Sequence, residues 1–253
     1  MLWQKAWLET RWRFLIGLGI LTLMSAKVIF TQSLVARFTT DTPEVPGRLG
    51  EILKQAMGLM SSYHGYVWSQ WFSSNLPQFW VLFAILIGVG GIVLESGRGA
   101  ALFTLSLPVT RRRLLAVRAA VGLIEIAILG LVPSVLIPLL SPIMGKSYAI
   151  KDTLLYSLLS ILAGAVFFSF SFFLSSIFSD QIKTIMMGIS LALVLAIAAI
   201  AFKGLARYSV FRIMSGETYF YDGVVPWLGL AVCLGISALF FFLSVRAVEL
   251  RDF

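Results

Sequence analysis

The sequence predicts an all-α integral membrane protein with six transmembrane helices. Of the 253 residues, 59% are hydrophobic and only 13% are charged, and the mean hydropathy is +0.93. Soluble domains carry about 25% charged residues, so a water-soluble fold of this length could not hide so much apolar surface. Helices are the expected spanning elements because backbone amides in hydrocarbon must be paired within each segment. The alternating pattern of a membrane barrel is missing from the sequence.

Six apolar runs are long enough to cross a bilayer, which takes about 20 residues. We expect the spans at residues 14–33, 76–94, 114–140, 153–178, 182–202 and 224–245. None of the intervening stretches has the composition of a soluble domain, so we interpret residues 1–253 as a single transmembrane domain.

The first 13 residues are predicted to form an interfacial elbow helix that precedes the first span. Trp3, Ala6 and Trp7 recur at helical spacing on one face, while Glu9 lies elsewhere. Tryptophan side chains at this spacing suit a helix that lies in the plane of the membrane interface.

Two loops are predicted to carry further short helices. In the long loop 34–78, apolar residues between 49 and 60 recur at helical spacing opposite charged ones, which indicates an external amphipathic helix. The shorter loop 203–223 is too apolar for a free linker, so we expect a short re-entrant or interfacial helix there.

An even number of spans places both termini on the same side of the membrane. Basic residues close to span ends favour the cytoplasmic side, and four arginines lie between residues 111 and 118. We therefore expect both termini in the cytoplasm, with a net charge of +8 that favours contact with anionic lipid. Nucleic-acid binding is not expected, because no basic stretch is interleaved with aromatic residues on a soluble module.

The sequence lacks the motifs of an enzyme. His64 is the single histidine and Cys233 the single cysteine, so neither a zinc site nor a disulfide within the chain is predicted. Residues 145–147 read Gly-Lys-Ser like the end of a phosphate-binding loop, but Leu140 stands where that loop requires glycine. We expect no catalytic residue, no metal site and no nucleotide site in this chain.

Glu125 is an acidic residue deep within the third predicted span. Ionisable groups inside a membrane are costly and are candidates for function. Glu125 lies seven residues after Arg118 and shares a helical face with it. Two interpretations stay open: a structural ion pair or hydrogen bond inside the bundle, or a polar station on a transport route.

The segment between the second and third spans is the most distinctive part of the chain. Glu95 ends the second span, Gly99 gives the backbone freedom, and Pro108 stops a helix before it can run into the third span. An apolar surface is offered by Ala101, Leu102, Leu105 and Leu107. Anchoring at the lipid headgroups is expected for three consecutive arginines, Arg111, Arg112 and Arg113.

The order of residues in this segment is an acid, a basic residue, a glycine and a stretch ending in proline, valine and arginine: Glu95, Arg98, Gly99 and 105–111, Leu-Ser-Leu-Pro-Val-Thr-Arg. This order resembles the signature of type-2 permease subunits of ATP-binding-cassette (ABC) exporters. Ala100 and Thr110 depart mildly from it, since threonine and serine are common at those positions. The six-span layout, the elbow and the charged C-terminal end extend the resemblance over the whole chain.

The resemblance implies a non-catalytic transport subunit in the bacterial cytoplasmic membrane. Two such subunits, identical or not, would pair, and two separate ATPase subunits holding ATP and Mg would dock beneath them. Segment 95–109 would be the coupling helix that inserts into the ATPase and drives export. Its contact residues would be Glu95, Arg98, Gly99, Leu102, Leu105, Leu107 and Pro108.

Two other functions stay open, a secondary transporter or channel and a membrane scaffold or sensor, while an intramembrane enzyme is not favoured. A secondary transporter or channel should show paired ionisable groups or broken helices in matching halves, and Glu125 has no such counterpart in the sequence. An intramembrane enzyme would need a nucleophile or a metal pair within the spans, which the sequence does not show. A non-transporting membrane scaffold or sensor would suit segment 95–111 too, if its partner is not an ATPase.

Overall fold

The computed structural model describes residues 2–40, 58–90, 110–201 and 209–250, and the regular elements in these ranges are helices. The α-helices are α1 (Leu2–Thr40), α2 (Tyr63–Val67), α3 (Leu76–Gly88), α4 (Arg111–Leu140), α5 (Ile150–Ile177), α6 (Gln181–Ala201), α7 (Val210–Met214), α8 (Glu217–Asp222) and α9 (Trp227–Glu249). A π-helical segment, Trp68–Asn75, joins α2 to α3, and a 3₁₀ turn, Ser141–Met144, follows α4.

The predicted fold class is confirmed. Within the described ranges, six helical stretches are long and apolar enough to cross a membrane: Leu2–Gln32, Tyr63–Gly88, Arg111–Met144, Ile150–Ile177, Gln181–Ala199 and Trp227–Glu249. Each predicted apolar run overlaps one of these stretches, and the ends agree to within about one helical turn except at the start of the first span and at both ends of the second.

The second span begins at Tyr63 rather than near residue 76. Polar residues lower the hydropathy of this part, but their side chains are bonded to the helix backbone. Ser74 Oγ donates to the Ser69 carbonyl at 2.9 Å, and Asn75 Nδ2 donates to the Gln70 carbonyl at 2.6 Å. These hydrogen bonds connect residues five apart, which is the spacing of the π-helical segment.

The expected elbow is not a separate helix. α1 runs without a break from Leu2, so residues 2–13 continue directly into the first span. The reason is local: the first helix-breaking type in this part of the chain is Gly17, and no proline precedes it. Trp3 and Trp7 keep exposed faces, and their placement in a membrane interface stays a prediction.

The predicted external helix over 49–60 lies largely outside the described residues. The loop 203–223 contains α7 and α8 in its described part, and α7 is fixed to the bundle by backbone carbonyls at its C-terminal end. Ser160 Oγ donates to the Met214 carbonyl at 2.7 Å, and Trp68 Nε1 donates to the Ser215 carbonyl at 2.9 Å. These bonds make the loop a packed part of the bundle.

α5 is the central helix of the described bundle and packs against α3, α4, α7 and α9. In its most apolar stretch 72% of the residues are buried, compared with 11% in α6, which lies at the periphery. Small side chains allow this close packing, and several of their hydroxyls donate to carbonyls within α5 itself. Ser157, for example, is fully buried and donates to the Thr153 carbonyl at 2.7 Å.

Gly164 of α5 allows the closest approach of a large side chain. A Cβ at this position would lie 2.3 Å from the indole ring of Trp80 in α3. Trp80 is fully buried and its Nε1 donates to the Ile126 carbonyl of α4 at 2.8 Å. The indole therefore ties three helices together and has little room to move.

We predict that Gly164→Ala lowers the thermal stability of the protein in detergent, because overpacking a filled core costs about 1–3 kcal/mol. Gly235→Ala is the matched control, since Gly235 also lies in a helix but a Cβ there meets nothing within 4 Å. The control should be neutral or stabilising, because alanine favours helix more than glycine does. Circular dichroism melting of both variants measures the difference, and equal melting temperatures would contradict the predicted contact.

Candidate functional site

A layer of polar side chains lies at the end of the bundle where segment 91–109 leaves α3 and returns to α4. We call these five residues the polar layer: Glu9, Thr10, Arg13, Arg118 and Glu125. Glu9, Thr10 and Arg13 belong to α1, and Arg118 and Glu125 belong to α4. Because Glu9 and Arg13 are four residues apart, both lie on the face of α1 that meets α4.

An ion pair joins these two helices. Arg118 Nη1 lies 3.2 Å from Glu9 Oε2, and Arg118 is only 8% exposed. A buried arginine is tolerated when a partner compensates for the water that it loses. The pair therefore fixes how α1 lies against α4.

Glu125 extends the same contact by two helical turns. Its side chain is 1% exposed, and Thr10 Oγ1 donates to Glu125 Oε1 at 2.5 Å. The other carboxylate oxygen, Oε2, is buried without a hydrogen bond from the described residues. The bond to Thr10 is the kind of contact that the structural interpretation of Glu125 expects, and a role on a transport route stays a hypothesis.

The chain that leads into segment 91–109 is held by three helices. Gly90 has a φ of +139°, and a Cβ there would lie 2.0 Å from Arg118 Nη2, so the position suits glycine only. Ser175 Oγ of α5 donates to the Gly90 carbonyl at 2.8 Å. Arg13 Nη1 of α1 donates to the carbonyls of Val89 and Leu86, each at 2.6 Å.

The chain that returns from the segment is held by α9. Thr110 is the N-cap of α4, and its side chain accepts from the Arg113 amide at 3.4 Å. Arg111 Nη1 donates to the Val248 carbonyl at 3.4 Å, and Arg112 pairs with Glu249. Segment 91–109 is thus attached at both ends to helices that are far apart in the sequence.

The residues predicted to couple this chain to an ATPase lie in that segment. Their positions are outside the described residues: Glu95, Arg98, Gly99, Leu102, Leu105, Leu107 and Pro108. Their roles stay predictions. The anchor arginines are described, and two of the three, Arg111 and Arg112, contact the end of α9.

Sequence reasoning missed four members of the site: Glu9, Thr10, Arg13 and Ser175. Glu9 and Arg13 were missed because the elbow was assumed to be a helix separate from the first span. If residues 2–33 are taken as one helix, Glu9 and Arg13 form an i,i+4 acid–base pair near a span end. That pair would have identified the face of α1 that meets α4. Ser175 gives no signal of its own among the many serines of α5.

The opposite end of the bundle is closed by aromatic side chains. His64 is stacked between Tyr148 and Phe220, with ring centroids 5.0 and 5.7 Å away, and its Nε2 lies 3.4 Å from Asp152 Oδ2. Burial raises the pKa of Tyr148 far above its usual value, so this phenol stays neutral. In the described ranges, no group of three or more acidic, histidine or cysteine side chains is placed to hold a metal ion, and the expected lack of a cofactor in this chain stays a prediction.

The six apolar helices describe a multi-pass membrane protein. Residues 10–213 match the sequence model of a family described as ABC-2 family transporter protein, and this match includes segment 91–109 and four of the five polar-layer residues. Because the match covers most of the chain, the protein belongs to this family of type-2 ABC permeases. No curated protein and no solved structure gives a significant match.

We predict that Arg118→Gln lowers the free energy of unfolding of the purified protein by about 1.5–3 kcal/mol, since it removes a charged contact made by a buried arginine while Glu9 is 30% exposed to solvent. The matched control is Lys183→Gln at the same end of the bundle. Lys183 lies 3.9 Å from Asp180 and is 71% exposed, so its pair is worth little. Melting in detergent compares the two variants, and equal losses would show that the pair of Arg118 and Glu9 is not buried.

Proposed function

We propose that this chain is the membrane-spanning subunit of an ABC exporter and that a separate subunit hydrolyses the ATP. The observation that carries the proposal is the attachment of segment 91–109: α1, α4 and α5 hold its start at Gly90, and α9 holds its return at Arg111 and Arg112. The family match supports a transport role. Export as the direction of transport, and a separate ATPase subunit as the partner, are parts of the proposal.

Segment 95–109 is the coupling helix in this proposal. Its acidic and basic residues, Glu95 and Arg98, bind polar groups on the ATPase, while its leucines fill an apolar cleft. ATP and Mg bind to the partner, which has two copies in the complex. Two permease subunits, identical or not, form the membrane part, and both termini lie in the cytoplasm of a bacterial cell.

Movement of the segment reaches the bundle through the polar layer. A displacement of Gly90 acts directly on Arg118, and through Arg118 on Glu9 of α1. A displacement of Arg112 acts on Glu249 of α9. A ligand shifts a conformational equilibrium only when it binds two states differently, so differential contact with the ATP-bound and ATP-free partner is the driving force.

Glu125 is assigned to the same transmission path. Its bond to Thr10 couples α4 to α1 deeper in the bundle than the pair of Arg118 and Glu9. Its unpartnered Oε2 leaves room for a second contact when the helices move. Cargo recognition is not assigned to any residue.

We predict that Glu95→Ala and Arg98→Ala each weaken capture of the ATPase at least about tenfold, since a hydrogen bond to a charged group contributes about 1.5–3 kcal/mol. The tagged chain is purified from its native membranes, and co-purifying ATP hydrolysis is measured. Membrane insertion and the yield of folded permease should not change, because both residues lie outside the bundle in this proposal.

Lys151→Ala is the control, since Lys151 is an exposed basic residue at the opposite end of the bundle. It should retain the full ATPase activity of the wild-type preparation. Two outcomes would contradict the proposal: a wild-type preparation that brings no ATP-hydrolysing partner, or variants at both positions that hydrolyse ATP as the wild type does. The first outcome would favour a secondary carrier or a scaffold.

A further inference from the structure

An apolar groove lies at the same end of the bundle as the polar layer, and none of its lining residues has a role in the proposed coupling to the ATPase. It lies between α4 and α9, with α5 as its floor, and it has a volume of about 320 Å³. Only leucine, alanine, phenylalanine and valine line it: Leu115, Ala116, Ala119, Ala120, Leu123, Phe172, Phe241 and Val245.

The groove exists because α4 presents alanine where α9 presents larger side chains. Ala116, Ala119 and Ala120 follow one another on one face of α4 and leave space beside α9. The floor is firm, since Phe172 and Phe241 pack with ring centroids 5.7 Å apart. An open apolar channel that runs along helices in a bilayer suits a hydrocarbon chain.

The mouth of the groove is basic. Arg112 and Arg113 lie one turn before Ala116 on α4, and Arg246 follows Val245 on α9. Arg113 and Arg246 are exposed, and Arg246 lies 5.4 Å over the Phe242 ring. Glu249 pairs with Arg112 and offsets one of these charges, so the mouth keeps a positive balance at the level where α4 begins and α9 ends.

We propose that this groove is a binding site for one anionic phospholipid. An acyl chain lies along Ala116, Ala119 and Ala120, and the phosphate is bound between Arg113 and Arg246. Basic residues at the end of a membrane helix attract anionic headgroups, and the apolar lining matches the chain below the headgroup. The site binds lipid without any need for the ATPase, so it can be tested independently of the transport proposal.

A second copy of this chain fits the groove less well. In a symmetric dimer the same face meets itself, so the arginines at the mouth of one copy would approach those of the other. Like charges that meet across an interface are unfavourable. A lipid phosphate supplies the complementary charge.

The test is lipid retention measured by native mass spectrometry. The full chain is purified in detergent, equilibrated with equal amounts of phosphatidylglycerol and phosphatidylcholine, and the bound lipids are counted. The wild type should retain phosphatidylglycerol in preference to phosphatidylcholine. In the double variant Arg113→Gln/Arg246→Gln the preference should fall about 25-fold, which is roughly fivefold for each basic residue.

Two matched controls separate the site from the general membrane surface. Ala119→Phe fills the groove and should abolish the retained lipid. Ala192→Phe fills another apolar groove, of about 340 Å³ between α3 and α6, whose lining includes no basic residue, and it should retain lipid like the wild type. Lys151→Gln removes a basic residue at the other end of the bundle and should also have no effect.

Three results would overturn the proposal. One is equal retention of both lipids by the wild type. Another is unchanged retention in Ala119→Phe while that variant melts like the wild type. The third is loss of the dimer mass in Ala119→Phe with no loss of lipid, which would assign the groove to contact between subunits.

Discussion

The ion pair between Arg118 and Glu9 is the constraint on which one end of this bundle depends. Arg118 is only 8% exposed, and a buried charge is costly unless it is paired, so the Glu9 carboxylate that α1 supplies compensates for its burial. Bringing α1 to that position also brings Arg13 to the carbonyls at the end of α3. A single electrostatic requirement thereby sets the relative position of three helices and the backbone at Gly90.

The two ends of the bundle are stabilised by different forces. Near Gly90 the contacts between helices are made largely by arginines, and Arg13 alone donates to two backbone carbonyls. At the other end stacked rings and neutral hydrogen bonds from indoles predominate, such as Trp71 Nε1 to Ser134 Oγ at 3.0 Å, beside the ion pair of Arg212 with Glu217. Aromatic stacking and buried neutral hydrogen bonds hold one geometry.

Sequence reasoning reached the fold class and the approximate spans, because hydropathy is a local property that a run of about 20 residues expresses on its own. It did not identify the partners of Arg118 or Glu125, because the hydropathy of one segment does not tell which other helices pack against it. The elbow residues continue into the first span as one helix, because a turn of aromatic and charged residues is as compatible with a continuing helix as with a break. The start of the second span was missed since the polar side chains of Trp68–Asn75 satisfy themselves against their own backbone. Residues 95 and 98 were found through a resemblance, and their role awaits a test.

The π-helical segment has a consequence for the direction in which α3 faces. A turn that closes over five residues holds one residue more than the α-helical register provides, and each residue in an α-helix turns the chain by about 100°. If the same eight residues of Trp68–Asn75 took up regular α-helical hydrogen bonding, α3 would turn about its axis and carry Trp80 away from the Ile126 carbonyl. The same rotation would move the Val89 carbonyl away from Arg13 Nη1. A change in the hydrogen bonding of Trp68–Asn75 would therefore alter the backbone beside Gly90, at the far end of α3.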